Sequence, residues 1–86
     1  MPFKYQSVLT IAGSDSGGGA GIQADIKTIS ALGCFAASAI TAVTVQDTIG
    51  VTGIHSVPAE IVRDQIKAVM NDIAPDVIKI GMINTK

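Results

Sequence analysis

The segment Gly13–Gly21 contains five glycines in nine residues and is the strongest local constraint on how this chain folds. It directly follows Ser7–Ala12, a short, mostly apolar and β-branched run that predicts a buried strand. Because so many glycines favour neither strand nor helix, we expect a loop that uses positive φ angles or close backbone approach. A helical pattern begins at about Gly21 or Ile22, and Gly33 marks its predicted end. The first third of the chain therefore predicts a strand, a glycine-rich loop and a helix.

The rest of the chain continues this alternation of strands and helices. Phe35–Val45, Val51–Val57 and Val77–Ile83 predict three further strands, and a second helix runs between Pro58 and Pro75. The order β-α-β-β-α-β predicts an α/β fold with a mostly parallel sheet flanked by helices. Residues 1–86 contain no repeat or linker, so we assign them to one domain or part of one. Because the last strand lacks a helix to cover it, we expect the N-terminal portion of a longer enzyme.

The composition excludes several classes of protein. Hydrophobic residues make up 48% of the chain and charged residues 15%, against about 25% charged in typical domains. A chain that is this small and this apolar is expected to have its apolar surface covered by further chain or by self-association. A net charge of −1 without a basic cluster predicts no nucleic-acid or membrane partner. The single Cys34 and single His55 exclude a disulfide framework and a multi-cysteine zinc site, and a cytoplasmic location is expected.

Each predicted helix has an apolar stripe that we expect to face the core. The stripes consist of Ile22, Ile26 and Ile29 in the first helix and of Val62, Ile66, Val69, Met70 and Ile73 in the second. Cys34 lacks a neighbouring base or cation and is also expected to be a small core residue.

Two acidic residues near the glycine-rich segment are candidates for a site. Asp25 falls on the apolar stripe beside Ile22, where an ionised carboxylate needs a partner, so this position favours a cap or a ligand contact. The alternative is that Asp25 accepts hydrogen bonds from loop amides or from Ser14 and only ties the loop down. Asp15 could orient the loop or approach a cation, but the simpler prediction is a solvent-exposed acid.

Three polar or glycine-containing segments follow the predicted strands: Gly13–Gly21, Gln46–Thr48 and Gly81–Met82. Ligands of open α/β sheets bind beyond the carboxyl ends of the strands, so we expect these segments to converge on one site. The Gln46 amide can donate and accept at once, which suits the edge of a heterocycle with an amino group and a ring nitrogen. The alternative for Gln46 is an ordinary solvated turn residue.

The glycine-rich segment itself allows several interpretations. A phosphate-binding P-loop is excluded because no lysine lies between Lys4 and Lys27. Gly19–Ala24 matches the relaxed dinucleotide fingerprint, with Asp47 downstream, but Gly13–Gly18 intervene between it and the strand. The remaining alternatives are a loop that closes over a small molecule with its amides as donors, and an ordinary flexible loop.

Three segments, Leu9–Thr28, Ala39–Thr48 and Lys79–Met82, closely resemble the N-terminal third of hydroxymethylpyrimidine/phosphomethylpyrimidine kinases, which belong to the ribokinase-like superfamily. The resemblance extends over essentially the whole chain, and pyridoxal kinases are the nearest related group. It implies a ribokinase-like fold and ATP- and Mg²⁺-dependent phosphorylation of 4-amino-5-hydroxymethyl-2-methylpyrimidine and then of its monophosphate, in thiamine biosynthesis. The chain has Ser16 and Gly17 after Asp15, where the commoner family loop reads Asp-Pro-Ser-Gly-Gly-Ala-Gly.

The resemblance also implies roles for individual residues. Gly13 would line the pyrimidine pocket, Asp25 would hydrogen-bond the substrate, Gln46 would contact its amino-pyrimidine edge, and Met82 would pack on the ring. Two further residues would stand close to this pocket, Thr44 and Val45.

The resemblance assigns neither catalytic residues nor metal ligands to this chain. The family's Gly-Thr-Gly anion hole, the residue that activates the hydroxyl group and the nucleotide site are expected beyond Lys86. We therefore expect the 86 residues alone to be inactive. The resemblance also implies that the complete enzyme is a homodimer. The alternatives are a pyridoxal-type kinase, a non-catalytic small-molecule-binding module and a nicotinamide-dinucleotide-binding domain.

Overall fold

A computed structural model describes residues 6–81 and contains the six predicted elements in the predicted order. These are β1 (Ser7–Asp15), α1 (Gly21–Ala31), β2 (Phe35–Gln46), β3 (Val51–Ser56), α2 (Ala59–Asp72) and β4 (Val77–Ile80). The end of the predicted last strand, from Met82 onward, lies outside the described residues.

The four strands form one sheet in the order β3-β2-β1-β4. β1 pairs in parallel with β2 and with β4, whereas β2 and β3 are antiparallel. The antiparallel pair follows from the short connection at residues 47–50, which allows a hairpin but no crossover. The prediction of an α/β fold with a mostly parallel sheet is confirmed, with one antiparallel strand at its edge.

β1 is longer than the sequence predicts, because the strand continues through Asp15 instead of stopping at Ala12. Between Ala12 and Ser14 the pairing register shifts, so that β2 contributes one residue more than β1. Past this bulge Ser14 and Asp15 still pair with β2, so Gly13 belongs to the strand and not to the loop. The prediction of a loop from Gly13 is therefore wrong, and the loop shrinks to residues 16–20.

The two helices cover opposite faces of the sheet. The core cluster under α2 consists of four buried strand residues and three partly buried helix residues: Leu9, Ile11, Ala37, Ala39, Ile66, Val69 and Ile73. On the other face, α1 buries Ile22 and Ile29, and its Asp25 accepts a hydrogen bond from Thr10 of β1. Because side chains alternate along a strand, Thr10 points away from Leu9 and Ile11. The central strand β1 is thus covered on both sides.

Three core predictions are wrong. Ile26 is 37% exposed, Met70 is 42% exposed, and Cys34 is only half-buried. Ile26 and Met70 lie at the flanks of their stripes, and each helix contacts the sheet along a narrower line than its apolar stripe. The helix α1 is rotated about its axis so that Asp25 faces β1 and Ile26 faces the surface.

The helix end predicted at Gly33 is confirmed by its hydrogen bonds. Gly33 N donates to Ser30 O at 3.0 Å and Cys34 N donates to Ile29 O at 3.1 Å, with Gly33 at φ +79°. This pattern is a Schellman motif, which requires a left-handed residue at that position.

A side-chain amide of α2 completes the hydrogen bonding of β2. The pairing of β3 with β2 begins at Ala42, so Ile40 lies beyond the end of β3. Gln65 Oε1 accepts from Ile40 N, and Gln65 Nε2 donates to Ile40 O, both at 2.9 Å. The two bonds satisfy backbone groups that a longer β3 would otherwise pair, and they anchor α2 on the sheet.

Three glycines separate the two reasons for which this fold can require glycine, a positive φ angle and a lack of space for a Cβ atom. An added Cβ at Gly21, which has φ +62°, would lie 2.2 Å from the Gly13 carbonyl oxygen. Gly33 has φ +79° but no heavy atom within 4 Å of the added Cβ, and Gly50 also has free space there, without a positive φ. We expect Gly50→Ala to change the free energy of unfolding by less than about 0.5 kcal/mol. Gly33→Ala should cost about 1 kcal/mol for its left-handed backbone.

Gly21→Ala should cost more than about 2 kcal/mol, because steric overlap adds to the backbone penalty. Urea unfolding of the complete protein and its three variants measures these differences. Equal losses for Gly21→Ala and Gly33→Ala would contradict the close approach of Gly21 to Gly13.

Candidate functional site

A cavity of about 360 Å³ opens at the carboxyl ends of the strands, beside the first turn of α1. Gly13, Gln46 and Gly81, one from each of the three segments predicted to converge, line this cavity together with Asp25. It lies where the strand order reverses, because the chain runs from β1 to β2 on one side whereas β4 flanks β1 on the other. Ligands of open α/β sheets bind at such a reversal.

Asp25 connects α1 to two strands at the wall of the cavity. Its Oδ2 accepts a hydrogen bond from Thr10 Oγ1, and its Oδ1 accepts one from Lys79 Nζ, both at 2.6 Å. Thr10 is completely buried, and only 13% of the Asp25 side chain remains exposed. The predicted alternative partners, loop amides and Ser14, do not bind Asp25 in the described part of the chain.

The environment of Asp25 favours its ionised form. Partial burial raises the pKa of the carboxyl, but the hydrogen bonds from Lys79 and Thr10 and the positive charge of Lys79 outweigh it, so the pKa is lowered. At neutral pH the cavity wall therefore presents an acceptor. The stabilisation from this pairing is present above the ordinary pKa of 3.8 and is lost as the pH falls through the lowered value of the folded state.

Asp15 organises the short loop after β1. Its carboxylate is buried, with Oδ1 accepting from Gly17 N at 2.8 Å and Oδ2 accepting from Gly19 N at 3.0 Å and Ala20 N at 2.8 Å. The prediction of a solvent-exposed acid is wrong, because the extended β1 carries Asp15 under the loop. The loop is ordered by these bonds, in contrast to the flexible-loop alternative.

The same bonds weigh against phosphate binding by the glycine-rich segment. Phosphates bind at helix N-termini through free backbone N–H groups. Here the amides of Gly17, Gly19 and Ala20, just before α1, already donate to the Asp15 carboxylate. These loop amides are therefore not free to bind the pyrophosphate that the dinucleotide interpretation requires.

Two residues of α1 hold the loop from the helix side, and sequence analysis missed them. Gln23 Oε1 accepts from Asp15 N at 2.7 Å, and Gln23 Nε2 donates to Ser14 Oγ at 2.8 Å. Lys27 Nζ donates to Gly18 O at 2.9 Å. Helical periodicity assigns both residues to the solvent side, because it gives no information about a loop that folds back over that face. Their proximity to a glycine-rich helix start was the available signal.

Gln46 is fixed through its backbone and leaves its side chain to the cavity. The Ser16 hydroxyl donates to Gln46 O at 2.5 Å and accepts from Gln46 N at 2.7 Å. Ser16, at which this chain departs from the commoner loop, thereby fastens the loop to the end of β2. Gln46 Nε2 has no hydrogen-bond partner among residues 6–81 and can donate to a ligand.

Thr44 also lines the cavity, and its hydroxyl lies 2.7 Å from Ser14 O and 3.4 Å from Gln46 Oε1. A hydroxyl has one proton, so the shorter bond to Ser14 is favoured, and Gln46 Oε1 stays available. Thr44 thus supports the end of β1 next to Gly13.

The other predicted site residues take different positions. An added Cβ at Gly13 would lie 3.6 Å from Ala42 O, an ordinary contact, so Gly13 contributes open space to the cavity. Val45 is 62% exposed and does not line the cavity. Met82 lies outside the described residues. Gly81, next to Met82, donates its N–H to Ile11 O at 2.8 Å, which brings the end of β4 against β1.

No group of three or more His, Cys, Asp or Glu side chains within residues 6–81 is placed to hold a metal ion. None of the helices in this range combines the length and apolarity needed to cross a membrane.

Comparison with known proteins relates this geometry to a family. The family model described as phosphomethylpyrimidine kinase matches residues 15–86. The hydroxymethylpyrimidine/phosphomethylpyrimidine kinase of Bacillus subtilis (strain 168) is 63% identical over 75 residues, which are 87% of this chain and 28% of that protein. The curated relatives that the chain matches are much longer, and it spans from 15% to 29% of their lengths.

Solved structures agree with the fold. The crystal structure of phosphomethylpyrimidine kinase from Clostridium difficile 630 matches 93% of this chain and 35% of its own, with a TM-score of 0.90 and 52% identity. The pyridoxal kinase of Staphylococcus aureus in complex with AMP-PCP and pyridoxal matches 96% of this chain and 31% of its own, with a TM-score of 0.85 and 37% identity. The predicted ribokinase-like fold is confirmed, and the chain belongs to the phosphomethylpyrimidine kinase family.

Proposed function

We propose that residues 1–86 are the acceptor-binding, N-terminal part of a single kinase domain in a longer enzyme. This enzyme phosphorylates 4-amino-5-hydroxymethyl-2-methylpyrimidine and then its monophosphate in thiamine biosynthesis. The observation that carries the proposal is the cavity in which Asp25 and Gln46 present polar groups at the reversal of strand order.

The polar groups of the cavity are complementary to an aminopyrimidine. Such a ring has an amino group that donates and a ring nitrogen that accepts, and Gln46 offers both an accepting Oε1 and a donating Nε2. Asp25 is an ionised acceptor, suited to the hydroxymethyl or amino protons of the substrate. The cavity volume of about 360 Å³ lies at the lower end of the range for small-molecule sites.

The remaining residues shape the pocket in this proposal. Gly13 leaves space for the ring, Thr44 holds the strand end beside it, and Met82 packs on the ring. We leave Val45 out of the pocket because it is exposed and does not line the cavity.

ATP supplies the γ-phosphoryl group when it is bound to the complete enzyme. Within residues 6–81, the loop amides that could bind a phosphate donate to Asp15, and no group of three or more His, Cys, Asp or Glu side chains is placed to hold a metal ion. We therefore place the ATP and Mg²⁺ sites, the anion hole and the group that activates the hydroxyl beyond Lys86. The function of this chain's residues is to bind and orient the acceptor.

A pyridoxal-type kinase is the second candidate, because the matching S. aureus structure contains pyridoxal. The identities of 63% and 52% to phosphomethylpyrimidine kinases, against 37% to that pyridoxal kinase, favour the pyrimidine. The two candidates are separated by assaying both acceptors with the complete enzyme.

The complete enzyme should convert the hydroxymethylpyrimidine to its monophosphate and diphosphate with ATP and Mg²⁺, whereas isolated residues 1–86 should show no turnover. Phosphoryl transfer depends on charge stabilisation at the moving group, which this segment does not supply. Product formation is followed by ³¹P NMR. Turnover by the isolated segment would refute the proposal. A complete enzyme that phosphorylates pyridoxal but not the hydroxymethylpyrimidine would also refute it.

Replacing Gln46 by Leu should raise the dissociation constant of the pyrimidine at least about tenfold, because two hydrogen bonds are lost. ATP binding should stay within a factor of about two, because Gln46 lies in the acceptor cavity. Calorimetric titration of the complete protein with each ligand measures both constants. Gln6→Leu is the matched control, since Gln6 is exposed beside the opposite end of β1. Equal weakening of both ligands would exclude the assigned role of Gln46.

We also propose that the complete enzyme is a homodimer, which is supported by exposed apolar side chains on β2 and the connection after it that do not line the cavity. These residues are Val43, Val45 and Ile49. A monomeric mass by light scattering at micromolar concentration would contradict the dimer. A Val45→Glu variant should lower the mass if this surface is the interface.

The cytoplasmic location stays a prediction from the single cysteine.

A further inference from the structure

We propose that Lys79 is a positioning residue of the acceptor site, which holds the Asp25 carboxylate against the cavity wall and keeps it an acceptor of hydrogen bonds. This inference rests on the proposed function and adds a residue to which neither the composition nor the motifs assign a role.

The geometry places Lys79 and Thr10 as a pair of donors beneath Asp25. The two residues are register partners on the parallel strands β4 and β1, so they point to the same face of the sheet. Each occupies one oxygen of Asp25 at 2.6 Å, Lys79 on Oδ1 and Thr10 on Oδ2. A carboxylate held at both oxygens by two strands has one orientation, and α1 is held with it.

Lys79 combines this contact with access to the cavity. Its side chain is 52% exposed, whereas that of Asp25 is 13% exposed. Both residues line the cavity together with Gly81, two positions further along the chain. The ammonium group therefore lies at the boundary between the partly buried carboxylate and the space for the acceptor.

The other charged groups around Asp25 have different partners. On α1, Lys27 donates to Gly18 O. On β1, Asp15 is bound by three loop amides, and the cavity residues of β2 and β3 carry no titratable group. Among residues 6–81, Lys79 is thus the cation that faces Asp25.

The pairing has a consequence for recognition. Without Lys79, Asp25 would retain one neutral donor, and its burial would raise its pKa. A protonated carboxyl carries one donating proton and accepts more weakly than a carboxylate, so it would bind the amino and hydroxyl protons of the acceptor less well. Lys79 thereby maintains the selectivity of the cavity for ligands that donate at this point.

Kinetics of the complete enzyme test the role with Lys79→Met, Lys79→Arg and the matched control Lys67→Met, which removes an exposed charge of α2. We expect Lys79→Met to raise the KM for the hydroxymethylpyrimidine about tenfold at pH 7, a factor typical of losing one charge-assisted interaction. The KM of this variant should rise further as the pH falls, and at a higher pH than in the wild type, as Asp25 takes up a proton. Lys79→Arg should restore most of the affinity, and kcat should change less than KM.

A measurement without substrate separates this inference from the proposed function. The ¹³C carboxyl resonance of Asp25 should titrate at a higher pH in Lys79→Met than in the wild-type protein, because the variant lacks the charged donor. If the wild type fails to phosphorylate the pyrimidine, the proposed function is wrong, and this titration still tests the pairing. A wild-type Asp25 that titrates above the ordinary pKa of 3.8 overturns the inference, even if Lys79→Met does not fold. An unchanged KM in Lys79→Met also overturns it.

Discussion

The hydrogen bonds of the Asp25 carboxylate join α1 to β1 and β4, and the shape of the cavity depends on them. Thr10 and Lys79 come from adjacent parallel strands, and Asp25 lies over both of them near the start of α1. This contact sets the rotation of α1, which turns Asp25 towards the sheet and Ile26 towards the surface. An ionised group on the inner side of a helix is costly unless it is paired, and two donors, one of them charged, pair it here. The same arrangement leaves a carboxylate at the wall of the cavity that we propose as the acceptor site.

A second set of contacts orders the loop that borders this cavity. Asp15 binds three loop amides from below, Gln23 holds Ser14 and Asp15 from α1, and Ser16 fastens the loop to Gln46. The glycines in this loop therefore serve an ordered structure in which backbone segments approach closely, most clearly at Gly21 against Gly13. The amides of Gly17, Gly19 and Ala20 are used within the protein, so the loop borders the cavity without offering these donors to a phosphate group.

The sequence predicts the order of elements and the convergence of three segments because local signals determine them. Glycine and proline mark the ends of α1 and α2, and the rule for open sheets brings Gly13, Gln46 and Gly81 to one edge. Contacts between residues distant in sequence were not predictable in this way. The burial of Asp15 depends on the extension of β1 past a bulge, and the bonds of Gln23 and Lys27 to the loop depend on how the loop folds back. The family resemblance indicated Asp25 and Gln46 but not their partners Lys79 and Ser16, which only the folded chain brings beside them.

We propose that the cavity between Asp25 and Gln46 binds the acceptor. A crystal structure of the complete enzyme with bound 4-amino-5-hydroxymethyl-2-methylpyrimidine is the direct test. We expect the ring inside the cavity, with hydrogen bonds to the Gln46 amide and the Asp25 carboxylate, and with the Asp25–Lys79 pair retained. A pyrimidine bound elsewhere in the enzyme, with only solvent between Asp25 and Gln46, would contradict it.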